Sequence, residues 1–368
     1  MESNKTVIFV SNPFGFGPTG KTVALIEELR HSWSGKIVYA ASPMCQETLP
    51  ESLKNTIIVE TIDERNEESL IKIFKKYNHP FIVCTLNRLA IKSAKNLGLR
   101  AFFIDSLAWM WKEIPEEYLL ADTYYCFNLF GIKDRLPPKD NIKVISPVFG
   151  HLPIPQKKKE DLILFHIGGF KNPFQDQMSL SYLNLLVETF LLSNFKIHTI
   201  ITGGNDALEY MKSKINNPNL EFRTLDRNEF LKKLNEAKHF ITTSGLTATL
   251  ESFALHTPTS FIPPTNLSQW KILKLLIQAG CANSKIEWHD FMDNEIDFTD
   301  FTEKDAVPQF HQLAKGAYTN PQYHQRFCQL LLELINSHPS TVNSTRLISA
   351  AGINGSQTII ADLLPYLG

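Results

Sequence analysis

Residues 239–264 read HFITTSGLTATLESFALHTPTSFIPP, and this stretch decides the fold. The apolar, β-branched runs at 239–243 and 257–264 predict two buried strands. Between them, 246–256 has a helical pattern that begins directly after Gly245. Strand, helix and strand in close succession predict a unit of two parallel strands joined by a helix.

The same alternation extends through both halves of the chain. Further predicted strands occupy 6–12, 36–41, 56–61, 81–86, 100–106, 161–169, 195–204 and 220–225. Further predicted helices occupy 20–33, 66–77, 87–98, 178–193, 205–215, 228–238, 268–280, 320–337 and 355–368. Continuous apolar strands that alternate with helices predict parallel sheets covered on both faces. The predicted fold class is therefore α/β, with doubly wound, Rossmann-like sheets.

A stretch with two prolines and a charge run, VFGHLPIPQKKKED at 148–161, interrupts the alternation and is typical of a linker. A chain of 368 residues also exceeds one ordinary core. We therefore predict two Rossmann-like domains facing a cleft. The predicted boundaries are a first domain at 1–152, a linker at 153–160, a second domain at 161–340 and a C-terminal tail or helix at 341–368. An acidic segment at 285–310 is predicted to be irregular.

The composition narrows the class of protein. Lys and Arg total 37 against 38 for Asp and Glu, and no basic stripe with interleaved aromatics occurs, so nucleic acid is not an expected partner. Five scattered cysteines without a CxxC pair are typical of reduced thiols. No apolar run reaches about 18 residues, and no leader pattern is visible. The expectation is a cytoplasmic protein without membrane insertion.

Residues 15–22, GFGPTGKT, match the phosphate-binding loop of P-loop NTPases, in which Asp105 would be the carboxylate on the Mg²⁺ side. Three observations count against this hypothesis. The residues SNPF at 11–14 separate the apolar run of the strand from Gly15, and Pro18 lacks the N–H that such a loop turns toward phosphate. The glycine-rich second half would also have no function. The NTPase is kept as an alternative.

Three stretches of the second half place glycines where predicted strands end. They are HIGGF at 166–170 with Gly168 and Gly169, IITGGN at 200–205, and TTSGLTATLE at 242–251. Ligands of parallel sheets bind at these strand ends, and a diphosphate would meet backbone N–H groups at the start of the helix after Gly245. The alternative is that the glycines only end strands and that Ser244 is an N-cap.

The run at 242–280 resembles the donor-binding half of GT-B glycosyltransferases. The residues that carry the resemblance are Gly245, Thr247, Glu251, Pro263, Pro264, Asn266, Ser268 and Gln269. The resemblance implies that Glu251 holds ribose hydroxyls and that Ser244, Gly245 and Leu246 bind the diphosphate. It further implies that the nucleotide base docks near Leu225. The sugar or the distal phosphate would contact Asn266, Ser268 and Gln269. Gly168, Gly169 and Thr247 complete the predicted donor site.

Within that superfamily the chain is most similar to cytosylglucuronate and hydroxymethylcytosylglucuronate synthases. The similarity rests on SNPFGFGPTGK at 11–21, IDSLAWMWKEIP at 104–115, ADTYYCFNLFG at 121–131 and SGLTATLE at 244–251. It implies transfer of glucuronate from UDP-glucuronate to N1 of a free cytosine, with inversion. It also assigns the first domain to the acceptor, with Gly15, Gly17, Thr19 and Trp109 as predicted contacts.

Asp105 is the predicted catalytic residue. It follows the apolar strand AFFI, beside Trp109 and Trp111, whose flat rings suit a heteroaromatic acceptor. A carboxylate there would take the ring N–H proton of a pyrimidine as the glycosidic bond forms. Related enzymes often carry a histidine base after the N-terminal loop, but Pro18 occupies that neighbourhood here. The alternative is that Asp105 caps a turn and that the tryptophans belong to the core.

The predicted function is metal-independent glycosyl transfer from a nucleotide sugar, with a UDP-sugar as the expected donor, to a small acceptor. No histidine pair has metal-ligand spacing, so no metal and no cofactor beyond the nucleotide sugar are predicted. A non-catalytic nucleotide-sugar-binding module is the other alternative.

Overall fold

The computed structural model describes residues 5–14, 16–47, 49–168, 179–192, 196–293 and 296–368. Its contacts divide the chain into two compact units. One comprises Met1–Leu152 with Ser349–Gly368, and the other comprises Pro153–Ile348.

The first unit contains a parallel sheet of seven strands. They are β1 (Thr6–Ser11), β2 (Lys36–Ala41), β3 (Ile58–Thr61), β4 (Phe81–Thr85), β5 (Ala101–Asp105), β6 (Thr123–Phe127) and β7 (Ile142–Ile145). The helices between them are α1 (Gly17–Ser32), α2 (Pro43–Gln46), α3 (Glu51–Lys54), α4 (Glu67–Lys76) and α5 (Arg88–Asn96). The spatial order is β3-β2-β1-β4-β5-β6-β7, and the chain reverses its winding direction between β1 and β4.

The second unit contains a parallel sheet of five strands. They are β8 (Glu160–His166), β9 (His198–Thr202), β10 (Leu220–Phe222), β11 (Ala237–Thr242) and β12 (Thr259–Phe261). Its helices are α6 (Leu180–Leu192), α7 (Asn205–Lys212), α8 (Arg227–Glu236), α9 (Leu246–Ala254), α10 (Leu267–Gln278), α11 (Glu303–Thr319) and α12 (Pro321–Ile335). The order β10-β9-β8-β11-β12 reverses between β8 and β11. The predicted fold class, α/β with two doubly wound parallel sheets, is confirmed.

Two further helices end the chain, α13 (Val342–Ala351) and α14 (Gly355–Leu367). α14 packs on the first unit, where Asp362 accepts hydrogen bonds from Tyr125 Oη at 3.1 Å and Lys143 Nζ at 2.7 Å. The tail predicted at 341–368 is therefore divided, since residues 349–368 belong to the first unit. The segment predicted to be irregular at 285–310 contains the first turns of α11, which begins at Glu303.

Candidate functional site

The reversal point of the second sheet brings the ends of β8 and β11 together. His166 and Thr242 are register partners, and His166 Nδ1 lies 3.0 Å from Thr242 Oγ1. Burial lowers the pKa of His166 to about 4, so its ring is neutral at pH 7. Gly168 follows with φ +80°, a conformation that glycine adopts without strain. Ligands of doubly wound sheets bind at such a reversal point. Gly169 lies outside the described residues.

The helix after β11 begins without a side-chain cap. α8 and α10 start at Asp226 and Asn266, whose side chains accept backbone N–H bonds, but α9 starts at Gly245 with no such bond. A Cβ built on Gly245 meets no described residue within 4 Å, so within the described part of the chain the space beside this helix start is open. An uncapped, open helix N-terminus suits a diphosphate, because its N–H groups and dipole favour an anion.

The side chains of the other residues predicted to bind the diphosphate are buried, so these residues could offer a ligand only their backbone N–H groups. Ser244 is fully buried, and its Oγ donates to the Gln269 carbonyl oxygen at 2.7 Å, which ties the start of α9 to the start of α10. The Leu246 side chain is buried in the core. Thr247, the second residue of α9, is half-buried. Gly203, in the neighbouring glycine pair, has a packing role, since a Cβ there would lie 2.5 Å from Ile167 Cγ1.

Glu251 forms a buried ion pair that sequence reasoning missed. Arg227 Nη2 lies 2.6 Å from Glu251 Oε1, and the two side chains are 5% and 1% exposed. Arg227 Nε is buried and has no hydrogen-bond partner among the residues that the structure describes. Arg227 is the first residue of α8 and stands two residues after Leu225, whose side chain is buried. Arg227 therefore connects Leu225, predicted to lie near the nucleotide base, to Glu251, predicted to bind the ribose: it follows Leu225 closely in the chain and forms an ion pair with Glu251. No local pattern indicates this pair, because the partners are 24 residues apart.

The start of α10 is held by side chains from two elements. Asn266 Oδ1 accepts from the Gln269 N–H at 2.9 Å and from Ser268 Oγ at 2.8 Å. Gln269 Oε1 accepts from the Thr265 N–H at 2.8 Å. Glu303, from α11, accepts from the backbone N–H groups at the first two positions of α10. Burial raises the pKa of Glu303 to about 7. Glu303 was not a predicted site residue, because 36 residues separate it from the first of these groups.

In the first unit, the start of α1 is buried. Thr19 is fully buried, so its side chain belongs to the interior rather than to an acceptor surface. Lys21 is also buried, and its Nζ donates to the Gly17 carbonyl oxygen at 2.9 Å, within its own helix. Gly17 is the first residue of α1, and Gly15 lies outside the described residues. The lysine of the GFGPTGKT match is thus bonded inside the protein rather than extended toward a ligand.

Asp105 ends β5 and is fully buried. Its Oδ2 accepts from Tyr124 Oη at 2.7 Å and from Trp111 Nε1 at 2.8 Å, while Oδ1 accepts from the Leu107 N–H at 2.6 Å. Burial raises the pKa of the Asp105 carboxyl above its usual range, and these hydrogen bonds oppose that rise. Trp109 is buried as well, and its Nε1 donates to the Ser106 carbonyl oxygen. This geometry favours the alternative in which Asp105 organises a turn and Trp109 belongs to the core. The catalytic role stays a prediction.

Replacement of Asp105 by asparagine separates the two roles. The amide NH₂ cannot accept from the donors that surround the carboxylate, so we expect Asp105→Asn to lower the free energy of unfolding by about 2–3 kcal/mol. Urea denaturation measures this loss, and Asp140→Asn, at an exposed aspartate of the same unit, is the control. Unchanged stability together with lost turnover would instead support Asp105 as the catalytic base.

The described part of the chain contains neither a metal-binding cluster nor a membrane-spanning helix. No group of three His, Cys, Asp or Glu side chains there is placed to hold a metal ion. None of the helices described is long and apolar enough to cross a membrane.

Solved structures with the same fold cover nearly the whole chain. MurG of Acinetobacter baumannii has a TM-score of 0.54 at 15% identity, over 98% of this chain and 99% of that one. UGT89C1 of Arabidopsis thaliana, complexed with UDP, has a TM-score of 0.58 at 11% identity, over 99% and 100%. The chain has the GT-B fold. The calicheamicin glycosyltransferase CalG4 matches at a TM-score of 0.54 and 12% identity, over 99% and 98%. No family model matches the sequence, and no curated protein matches it.

Proposed function

We propose that this protein is a glycosyltransferase that moves a sugar from a UDP-sugar to a small acceptor. The observation that carries the proposal is the open, uncapped start of α9 at Gly245, at the reversal point of the second sheet. The diphosphate binds there, and Glu251, within the same helix, receives the ribose hydroxyls. The GT-B fold supports the proposal, since one solved structure with this fold contains UDP.

The resemblance in sequence implies N1 of cytosine as acceptor, glucuronate as sugar and inversion at the anomeric carbon. The acceptor that we propose is a small ring compound of this kind, bound by the first unit. For the sugar we propose an uncharged hexose in place of glucuronate, because Glu303 places a carboxylate at the start of α10.

Thermal unfolding with added nucleotides tests the donor. We expect UDP to raise the melting temperature without Mg²⁺, because binding to the native state alone stabilises it; at a hundred times Kd the gain is about 2.7 kcal/mol. The same shift is expected to disappear in Glu251→Ala. Stabilisation by ATP with Mg²⁺ that is lost in Lys21→Ala would support the P-loop NTPase instead.

A mass-spectrometric screen tests turnover. Nucleotide sugars are incubated with cytosine, 5-hydroxymethylcytosine and a panel of small acceptors, and products are detected by the added hexosyl or uronosyl mass. We expect a product with at least one pyrimidine. UDP-sugar binding without any product would support the non-catalytic binding module.

A further inference from the structure

Glu303 places a protein carboxylate at the start of α10. Its Oε1 accepts from the Leu267 N–H at 3.1 Å, and its Oε2 accepts from the Ser268 N–H at 3.2 Å. Asn266 accepts from the next N–H, that of Gln269. The first three N–H groups of this helix therefore already have acceptors, and two of them bind a carboxylate.

The adjacent helix starts of α9 and α10 consequently have opposite electrostatic character. The N–H groups of a helix N-terminus ordinarily attract a phosphate or carboxylate of a ligand. α9 offers such an N-terminus at Gly245, with open space beside it. α10 carries its own anion, Glu303. The bond from Ser244 Oγ to the Gln269 carbonyl oxygen holds the two helix starts together.

A cation of the same helix, α10, interacts with Glu303. Lys271, one turn into α10, lowers the pKa of Glu303 by its positive charge, against the larger opposing effect of burial. A uronate carboxylate would need a basic partner of this kind, and Lys271 lies in the same helix as Ser268 and Gln269. Its charge is thus already directed at a protein carboxylate.

We propose that Glu303 makes the protein select a nucleotide sugar whose sugar is uncharged. The carboxylate accepts hydrogen bonds from sugar hydroxyls beside Ser268 and repels the carboxylate of a uronate. This inference rests on the proposed function, because it takes the diphosphate to lie at the start of α9 and the sugar to extend toward α10.

Binding measurements with three commercial nucleotides test it. Dissociation constants for UDP, UDP-glucose and UDP-glucuronate are measured by calorimetry at pH 8, above the raised pKa of Glu303. In the unaltered protein we expect UDP-glucose to bind at least about tenfold more tightly than UDP-glucuronate, a difference of about 1.4 kcal/mol. Glu303→Gln, which keeps the size of the side chain, is expected to bring this ratio close to one while leaving the UDP affinity within about threefold.

The control variant is Asp305→Asn, which removes the same charge from an exposed position in the same helix turn. It is expected to leave the ratio unchanged. Equal or tighter binding of UDP-glucuronate to the unaltered protein would overturn the proposal, as would an unchanged ratio in Glu303→Gln. If UDP itself does not bind, the proposed function fails. If UDP binds but UDP-glucose and UDP-glucuronate bind equally well, only the role of Glu303 is refuted.

Discussion

Arg227→Met is expected to lower the free energy of unfolding by about 3–5 kcal/mol, because it leaves the Glu251 carboxylate buried without its cation. The second variant, Arg227→Met with Glu251→Gln, is expected to recover much of this loss, since neither side chain then carries a buried charge. Urea denaturation measures the change. Hydrogen exchange of peptides from α8 and α9 assigns it to the second unit.

The matched control is Arg223→Met. Arg223 is four residues earlier and pairs with Glu221 and Glu229, but these side chains are 37–49% exposed. Exposed pairs contribute little, so we expect a change within about 1 kcal/mol. If Arg227→Met costs no more than Arg223→Met, the buried pair does not stabilise the second unit as its geometry indicates.

The same double variant separates stability from ligand binding. A hydrogen bond to a charged group contributes about 1.5–3 kcal/mol, so loss of the Glu251 carboxylate is expected to weaken UDP binding by about 10–100-fold even where the fold is recovered. Calorimetric titration with UDP measures this. Full recovery of UDP affinity in the double variant would remove Glu251 from the nucleotide site.

Gly245→Val is expected to weaken UDP binding by at least about tenfold while changing stability by only about 1 kcal/mol. The backbone of Gly245, at φ −69° and ψ 125°, is one that valine adopts readily, and the added atoms project into open space. The small stability cost is that of a poorer N-cap residue. The larger binding loss arises because the side chain stands between the diphosphate and the helix N–H groups, which contribute about 1.5–3 kcal/mol each as charge-assisted bonds.

Gly203→Ala is expected to lower the stability of the protein, in contrast to Gly245→Val, which is expected mainly to weaken UDP binding. Its Cβ would lie 2.5 Å from Ile167 Cγ1 and 2.7 Å from the Gly168 carbonyl oxygen, so the protein must shift to accept it. We expect a loss of stability of about 1–3 kcal/mol from overpacking. UDP titrations and urea denaturation of both variants distinguish the two roles of glycine. UDP affinity unchanged in Gly245→Val would place the diphosphate elsewhere.

The parallel sheets were predictable because their central strands are buried on both faces and appear as apolar runs. The strand TVIFVS at Thr6–Ser11 is buried at every position, and the helix after Gly245 begins where the sequence predicted it. The helix at Glu303–Thr319 was missed because its acidic first turn and the internal Pro308 obscure the helical pattern.

The candidate site was predictable only where it is formed by residues that are close together in the sequence. A strand end, a glycine and a helix start are adjacent along the chain, so TTSGLTATLE alone indicated an anion site at Gly245. The predicted acceptor residues Thr19 and Trp109 are buried in the first unit, because an apolar or small side chain in the segment that follows a strand can face the interior as well as a ligand.

The sequence by itself determined the α/β fold class and the position of the helix start that we propose for the diphosphate, because both follow from periodicity and turn residues over short distances. Only the tertiary structure decided which charges meet. Arg227 reaches Glu251, Glu303 reaches the start of α10, and Tyr124 of β6 reaches Asp105 through the packing of separate elements. Such pairings depend on how strands and helices are brought together, which no local pattern encodes.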